Sequence, residues 1–263
     1  MTDQALSQTL PASDTRQGAA LASIVVASYV AAIALAEATG VFVAATAGVV
    51  SHAILAFALL THAHVAGQAP YRRLLPALAL VPLLRILSLA MPIKYVPEIY
   101  WHALIGLPLL AAIGLAARAA NFSREQIGLR LGAWPAHLLV AASGLPLGLA
   151  AAALLPGAAA PSAGRVELAA GVVMLALSGF AEELLFRGVL MRAVRDLIGR
   201  DDLVLSTFLF AVLYLGTRSV EYILFAALVG LFFGWCARKT GAIWGVALAH
   251  GLISVGVMYI WAR

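Results

Sequence analysis

Two adjacent carboxylates, Glu182 and Glu183, and an arginine at position 187 interrupt a chain that carries no charge from Leu168 to Phe180. A carboxylate inside a membrane segment is costly and is by default a functional-site hypothesis. On a helix, Glu183 and Arg187 are four apart and share a face, with the acid ahead of the base in the favourable order. Glu182 lies about 100° round the same helix. The two acids are therefore expected to differ: Glu183 is held ionised by Arg187, and Glu182, partly desolvated, is free for general-base work. A plainer reading stands beside this one, in which both acids are solvated charges at the end of a membrane span.

A second polar pair is His250 and Ser254, also four apart and on one helix face. A histidine in a lipid span usually points into the bundle, either as a helix-to-helix hydrogen bond or as a reactive group. Tyr214, in Phe210-Ala211-Val212-Leu213-Tyr214, can reach the same layer. The remaining polar residues invite plainer readings. His52, His62 and His64 lie on one early span, and His62 and His64 are two apart, so they do not face each other. Tyr95, Tyr100 and Trp101 read as an interfacial aromatic belt. Arg85 should face the bundle, where a carboxylate such as Glu183 is one available partner. Cys236, the only cysteine, reads as packing.

What positions these residues is a set of membrane helices. The 263 residues are 63% hydrophobic and 11% charged, with a mean hydropathy of +0.98. Soluble domains are about half apolar and a quarter charged. The long unbroken apolar runs exclude a β-barrel, whose strands alternate. The expected fold is an all-α, polytopic integral membrane helical bundle of about nine spans, near 19–36, 41–63, 74–91, 100–118, 133–156, 167–186, 203–216, 221–238 and 241–261. Thr39-Gly40, Gly67 to Pro70, Met91-Pro92 with Pro97, and Pro156, Pro161 and Gly164 mark breaks. Residues 1–18 read as a polar N-terminal arm and 19–263 as one transmembrane domain. Met1 to Gln17 lacks a basic n-region, so no cleaved signal peptide is expected.

Most Lys and Arg fall in alternate gaps: Arg16, then Arg72 and Arg73, then Arg118, Arg124 and Arg130, then Arg187, Arg192, Arg195 and Arg200, then Arg238 and Lys239. By the positive-inside rule these gaps face the cytosol, with the N-terminus. The expected location is the plasma membrane, crossed many times. The same scatter makes the net charge of +5 a topology signal and not a nucleic-acid footprint.

Over residues 168–260 the chain resembles the CAAX-protease and bacteriocin-processing (CPBP, Abi) family of glutamic-type intramembrane proteases, which includes the type II CAAX prenyl endopeptidases. The family shows E-E-x-x-x-R, then F-x-x-x-H, then H-x-x-x-N or D. Glu182, Glu183 and Arg187 match the first motif, and the run Thr240 to Ala249 up to His250 resembles the lead-in of the third. The resemblance implies that Glu182 activates a water, that His250 stabilises the oxyanion, and that Glu183 and Arg187 are a structural pair. It implies a membrane-associated peptide or protein substrate, cut near the cytosolic leaflet. Two positions depart: Tyr214 stands for the second-motif histidine and Ser254 for the Asn or Asp. A tyrosine, with a reference pKa near 10, can position a water but is a poor base.

Two alternatives follow. One is a weakened or inactive member of the same fold that binds a membrane peptide as an immunity or scaffold protein. The other is a small-solute transporter, against which the two halves show no paired broken helices. No cofactor is expected. A zinc variant using Glu182, Glu183 and His250 is the lesser possibility, because catalytic zinc usually has three protein ligands with His or Cys prominent.

Overall fold

The computed structural model describes residues 12–91, 95–96, 100–132, 134–155 and 165–261. The described residues are helical and contain no strand. The helices are α1 (Ala12–Phe42), α2 (Ala45–Val65), α3 (Leu74–Leu89), α4 (Trp101–Ala119), α5 (Trp134–Ala142), α6 (Gly144–Leu154), α7 (Arg165–Glu183), α8 (Met191–Ile198), α9 (Asp202–Val212), α10 (Val220–Thr240) and α11 (Trp244–Val255). Six helical runs are long and apolar enough to cross a bilayer: Ala20–Phe42, Ala45–Val65, Trp101–Ala119, Trp134–Leu154, Leu168–Thr217 and Val220–Thr240. Each expected span coincides with a helical stretch. The 16-residue α3 and the Trp244–Ile260 segment are shorter than those six, so the count of nine goes beyond what length and composition give.

The 50-residue run Leu168–Thr217 is too long for one crossing, since at 1.5 Å per residue it spans about 75 Å against a core of about 30 Å. It folds back on itself. Gly199, at φ +69°, makes a turn that side chains with a Cβ rarely adopt, and α8 packs against α9. The returning leg is pinned by Asp202, which is fully buried and binds Arg195 at 2.7 Å and Arg238. The break between α5 and α6 also has a local cause. Pro146 offers no N–H and its ring crowds the carbonyl of Ala142, where α5 ends.

The turn at Thr39-Gly40 is not observed. Helix α1 runs on to Phe42, and the turn falls at Val43 and Ala44. Gly40 serves instead as a close-approach point, where α1 and α2 meet through Gly40 and Gly48. At the other end, α1 begins at Ala12, inside the stretch read as a polar arm. The Gly67 to Pro70 break is seen, while Pro92, Pro97, Pro156, Pro161 and Gly164 lie outside the described residues.

The gaps sort to two ends of the bundle. Arg130 donates to the carbonyl of Thr240, Ile243 N–H to Gly128, and Arg238 to Arg200. The 3₁₀ turn Pro70–Arg73 packs on α8 and on α1. Four of the basic gaps thus lie together. At another point Arg218 reaches the carbonyl of Val41, joining the α1–α2 corner to the turn before α10. Inside, α11 packs on α7, α5 and α6, α10 on α9, and α2 on α1 and α3. The outward faces carry large apolar side chains such as Leu35, Phe57 and Leu139, as lipid contact requires.

Candidate functional site

The polar cluster forms where α7, α9, α10 and α11 converge. Helix α7 ends at Glu183 and continues into a π-helical turn, Leu184–Leu190, whose residues are all buried. Such widened turns occur often at functional sites. This one carries Arg187 inward. Arg187 Nη1 donates to Glu183 Oε1 at 3.1 Å, and Nη2 donates to the carbonyl of Gly230 at 3.3 Å. Gly230 permits this approach, because a Cβ there would lie 3.3 Å from Arg187 Nη2. The guanidinium also lies 4.3 Å from the ring centroid of Phe210. A desolvated cation over an aromatic face gains about 2 kcal/mol.

His250 arrives on α11. Its Nδ1 is 2.8 Å from Glu183 Oε1. The Glu183 carboxylate faces a guanidinium, and an ionised carboxylate only accepts hydrogen bonds, so Nδ1 carries the proton. That orients the ring and turns Nε2 the other way, to 3.9 Å from Glu182 Oε2. This gap is too long for a direct hydrogen bond and is suited to a bridging water or a substrate atom. Ser178 Oγ, one turn before, donates to Glu182 Oε1 at 3.4 Å. The result is one connected row: Arg187, Glu183, His250, Glu182.

The two acids differ in surroundings. The Glu183 side chain is fully buried, and its Oε2 has no hydrogen-bond partner. The Glu182 side chain keeps 22% of its surface accessible. Glu183 does more than pair with Arg187, because it also orients His250. The close approach of α7 and α11 depends on glycine. A Cβ at Gly179 would sit 2.9 Å from the N of Gly251, and one at Gly251 would sit 3.1 Å from Cα of Ala176. Larger residues there would push His250 away from Glu183.

Tyr214 lies in the 3₁₀ turn Leu213–Thr217, with its ring 5.2 Å from Phe210 and 5.5 Å from Tyr222. With His250, Phe210, Tyr222 and Phe233 it lines a cavity of about 20 Å³, room for about one water. Glu182 is not among the lining residues. Ser254 donates its hydroxyl back to the carbonyl of His250 at 3.2 Å. It is therefore turned along its own helix and not toward the acids. Among the described residues no group of three or more His, Cys, Asp or Glu side chains is arranged to hold a metal ion. Glu183, which the zinc variant would use, already binds Arg187 and His250 through Oε1.

A second buried cluster escaped the sequence reading. Glu37 on α1 is fully buried and takes both oxygens' worth of hydrogen bonds from Arg85 on α3, Nε to Oε2 and Nη2 to Oε1, each at 2.6 Å. His52 on α2, also fully buried, places Nε2 3.3 Å from Glu37 Oε2. Arg85 thus pairs with Glu37 and not with Glu183, and His52 is a buried partner of an acid. The signal was present: an acid in an apolar run, the feature that singled out Glu182. Ending the first span at residue 36 hid it. Elsewhere, His62 Nδ1 meets Tyr29 Oη at 3.0 Å, Cys236 is buried and free, and Tyr95 and Tyr100 are exposed.

Residues 164–256 match the family model described as Type II CAAX prenyl endopeptidase Rce1-like. This region, which holds Glu182, Glu183, Arg187, Tyr214, His250 and Ser254, is Rce1-like, and the resemblance read from the motif holds. Helices α1 to α6, with the Glu37 cluster, lie outside the match. No curated protein and no solved structure matches the chain.

Proposed function

We propose, from the endopeptidase family that residues 164–256 match, that this multi-pass membrane protein is an intramembrane endopeptidase whose base is Glu182. The observation that carries the proposal is the row Arg187–Glu183–His250–Glu182, where two acids and a histidine meet within the matched region. In the reaction, a water between Glu182 and His250 Nε2 attacks the carbonyl carbon of a peptide bond. Glu182 takes the water's proton and delivers it to the departing amine. With Nδ1–H kept on Glu183, the ring donates to the oxyanion as an imidazolium, whose second proton sits on Nε2, flanked by Glu182, and stays there as the amine leaves. A base within reach of the water contributes about 10²–10⁴ in rate, and one oxyanion donor about 10²–10³. The substrate is a membrane-associated peptide or protein. The bundle sits in the plasma membrane with nine crossings and its basic gaps, like the N-terminus, in the cytosol.

Two observations favour a second reading, a weakened or non-catalytic member that binds a membrane peptide. Tyr214 replaces the expected histidine beside the cavity, and Ser254 spends its hydroxyl on its own helix. The two readings separate on reconstituted protein given a membrane-anchored peptide. A hydrolase cuts the peptide, resists chelators, and gains roughly 10²-fold when Tyr214→His restores a basic neighbour. No cleavage by either protein, with the peptide still bound, supports the scaffold reading. Loss of cleavage on chelation, with zinc found in the purified protein, would favour the metal variant.

A further inference from the structure

A groove of about 720 Å³ lies between α2, α3 and α4. It shares no lining residue with the Glu182–His250 cluster. Its walls are apolar, with Leu60 from α2, Leu80 and Leu83 from α3, and Leu115 from α4. Its size falls in the roughly 300–1,000 Å³ range of small-molecule sites. One end is cationic: the 3₁₀ turn Pro70–Arg73 brings Arg72 and Arg73 to the rim, beside His64 and Asn121. An apolar trough with one charged mouth has the shape of a site for an amphiphile with an anionic head.

Among the described residues no carboxylate pairs with the charge at the mouth. Asp196 also lines the rim, but Arg192 already holds it at 2.8 Å. Arg195 and Arg238 share Asp202. Arg72 and Arg73 are exposed and form no ion pair among the described residues. The turn that carries them is fixed, with the Tyr71 ring packed edge-on to His62 at 5.3 Å. Two adjacent guanidinium forks on a fixed backbone match phosphate oxygens. The turn lies at the end of the bundle where the basic gaps gather, and basic clusters at a membrane face attract anionic lipid.

We propose that this groove binds an anionic phospholipid, with an acyl chain between α2, α3 and α4 and the phosphate on Arg72 and Arg73. The proposal does not rest on the endopeptidase reading. It is tested on the full-length protein in neutral detergent, with lipid retention counted by native mass spectrometry and Tm followed as phosphatidylglycerol, phosphatidylcholine or inorganic phosphate is added. The expected result is saturable retention of phosphatidylglycerol with a rise in Tm, and little effect of the other two. Arg72→Ala with Arg73→Ala should weaken phosphatidylglycerol by roughly tenfold or more, as loss of charge-assisted hydrogen bonds implies. Both residues are exposed, so the lipid-free Tm should stay as in the wild type. Three outcomes overturn the proposal. Equal retention of phosphatidylcholine means the groove fills without reading the headgroup. The same Tm rise with inorganic phosphate alone means a free-anion site. Undiminished phosphatidylglycerol binding by the double variant means the lipid sits elsewhere.

Discussion

At the scale of single residues, Glu183 is the most constrained group in the site. It holds one guanidinium and one imidazole through the same oxygen, in full burial. Removing either charge of a buried pair leaves the other uncompensated and costs about 3–5 kcal/mol. Arg187→Ala should therefore lower Tm sharply, together with activity. Ser254→Ala should not. Its hydroxyl is committed to the His250 carbonyl, so cleavage rates for Ser254→Ala and wild type are expected to agree within a factor of about two, on the scale of one neutral, partly exposed hydrogen bond. A loss of several hundredfold would show that Ser254 turns to the oxyanion during the reaction.

At the scale of elements, the site depends on how closely α7 and α11 approach. Gly179 and Gly251 set that distance, and a Val at Gly179 has no space for its side chain. Overpacking of this kind costs about 1–3 kcal/mol. Gly179→Val should lose cleavage by more than its drop in Tm explains, because the Glu183–His250 contact opens first; a circular-dichroism melt run beside a cleavage assay separates the two. Much of this level was legible in advance. Glu182, Glu183, Arg187 and His250 stood out as polar groups in apolar runs, and Glu183 and Arg187, four apart, pair in the structure, whereas the contact of His250 with Glu183 could not be read from spacing. The α-helical spacing did not foretell the π turn at Leu184–Leu190, because that turn is buried against α3, α4, α9 and α10, a tertiary setting that spacing does not carry. Nor could it show that Ser254 faces its own backbone, which is a rotamer choice. Gly40 misled as a turn signal because glycine serves close helix contact as readily as it serves a bend.

At the scale of the whole molecule, the described residues carry two buried Glu–Arg–His clusters in different helix sets. One joins α1, α2 and α3 through Glu37, Arg85 and His52. The other joins α7, the π turn and α11 through Glu183, Arg187 and His250. Only the second lies in the Rce1-like region. They share no partner, so their stability effects should add to within about 0.3–0.5 kcal/mol. Glu37→Gln leaves Arg85 short of its counter-charge and should cost stability on the order of 3 kcal/mol, while the fraction still folded cuts substrate at the wild-type rate. A rate loss in folded Glu37→Gln protein would instead tie the first cluster to catalysis. Six apolar runs of spanning length and exposed apolar flanks further require that the chain stay in the membrane fraction under alkaline carbonate.

The most direct measurement is the cleavage rate of the reconstituted protein with Glu182→Gln. The amide keeps the size of the carboxylate and can still meet Ser178 and His250, but it cannot take a proton from water. The account predicts that cleavage falls by about 10²–10⁴-fold, the contribution of a general base, while Tm and peptide binding match the wild type. Cleavage at the wild-type rate by folded Glu182→Gln protein would contradict it.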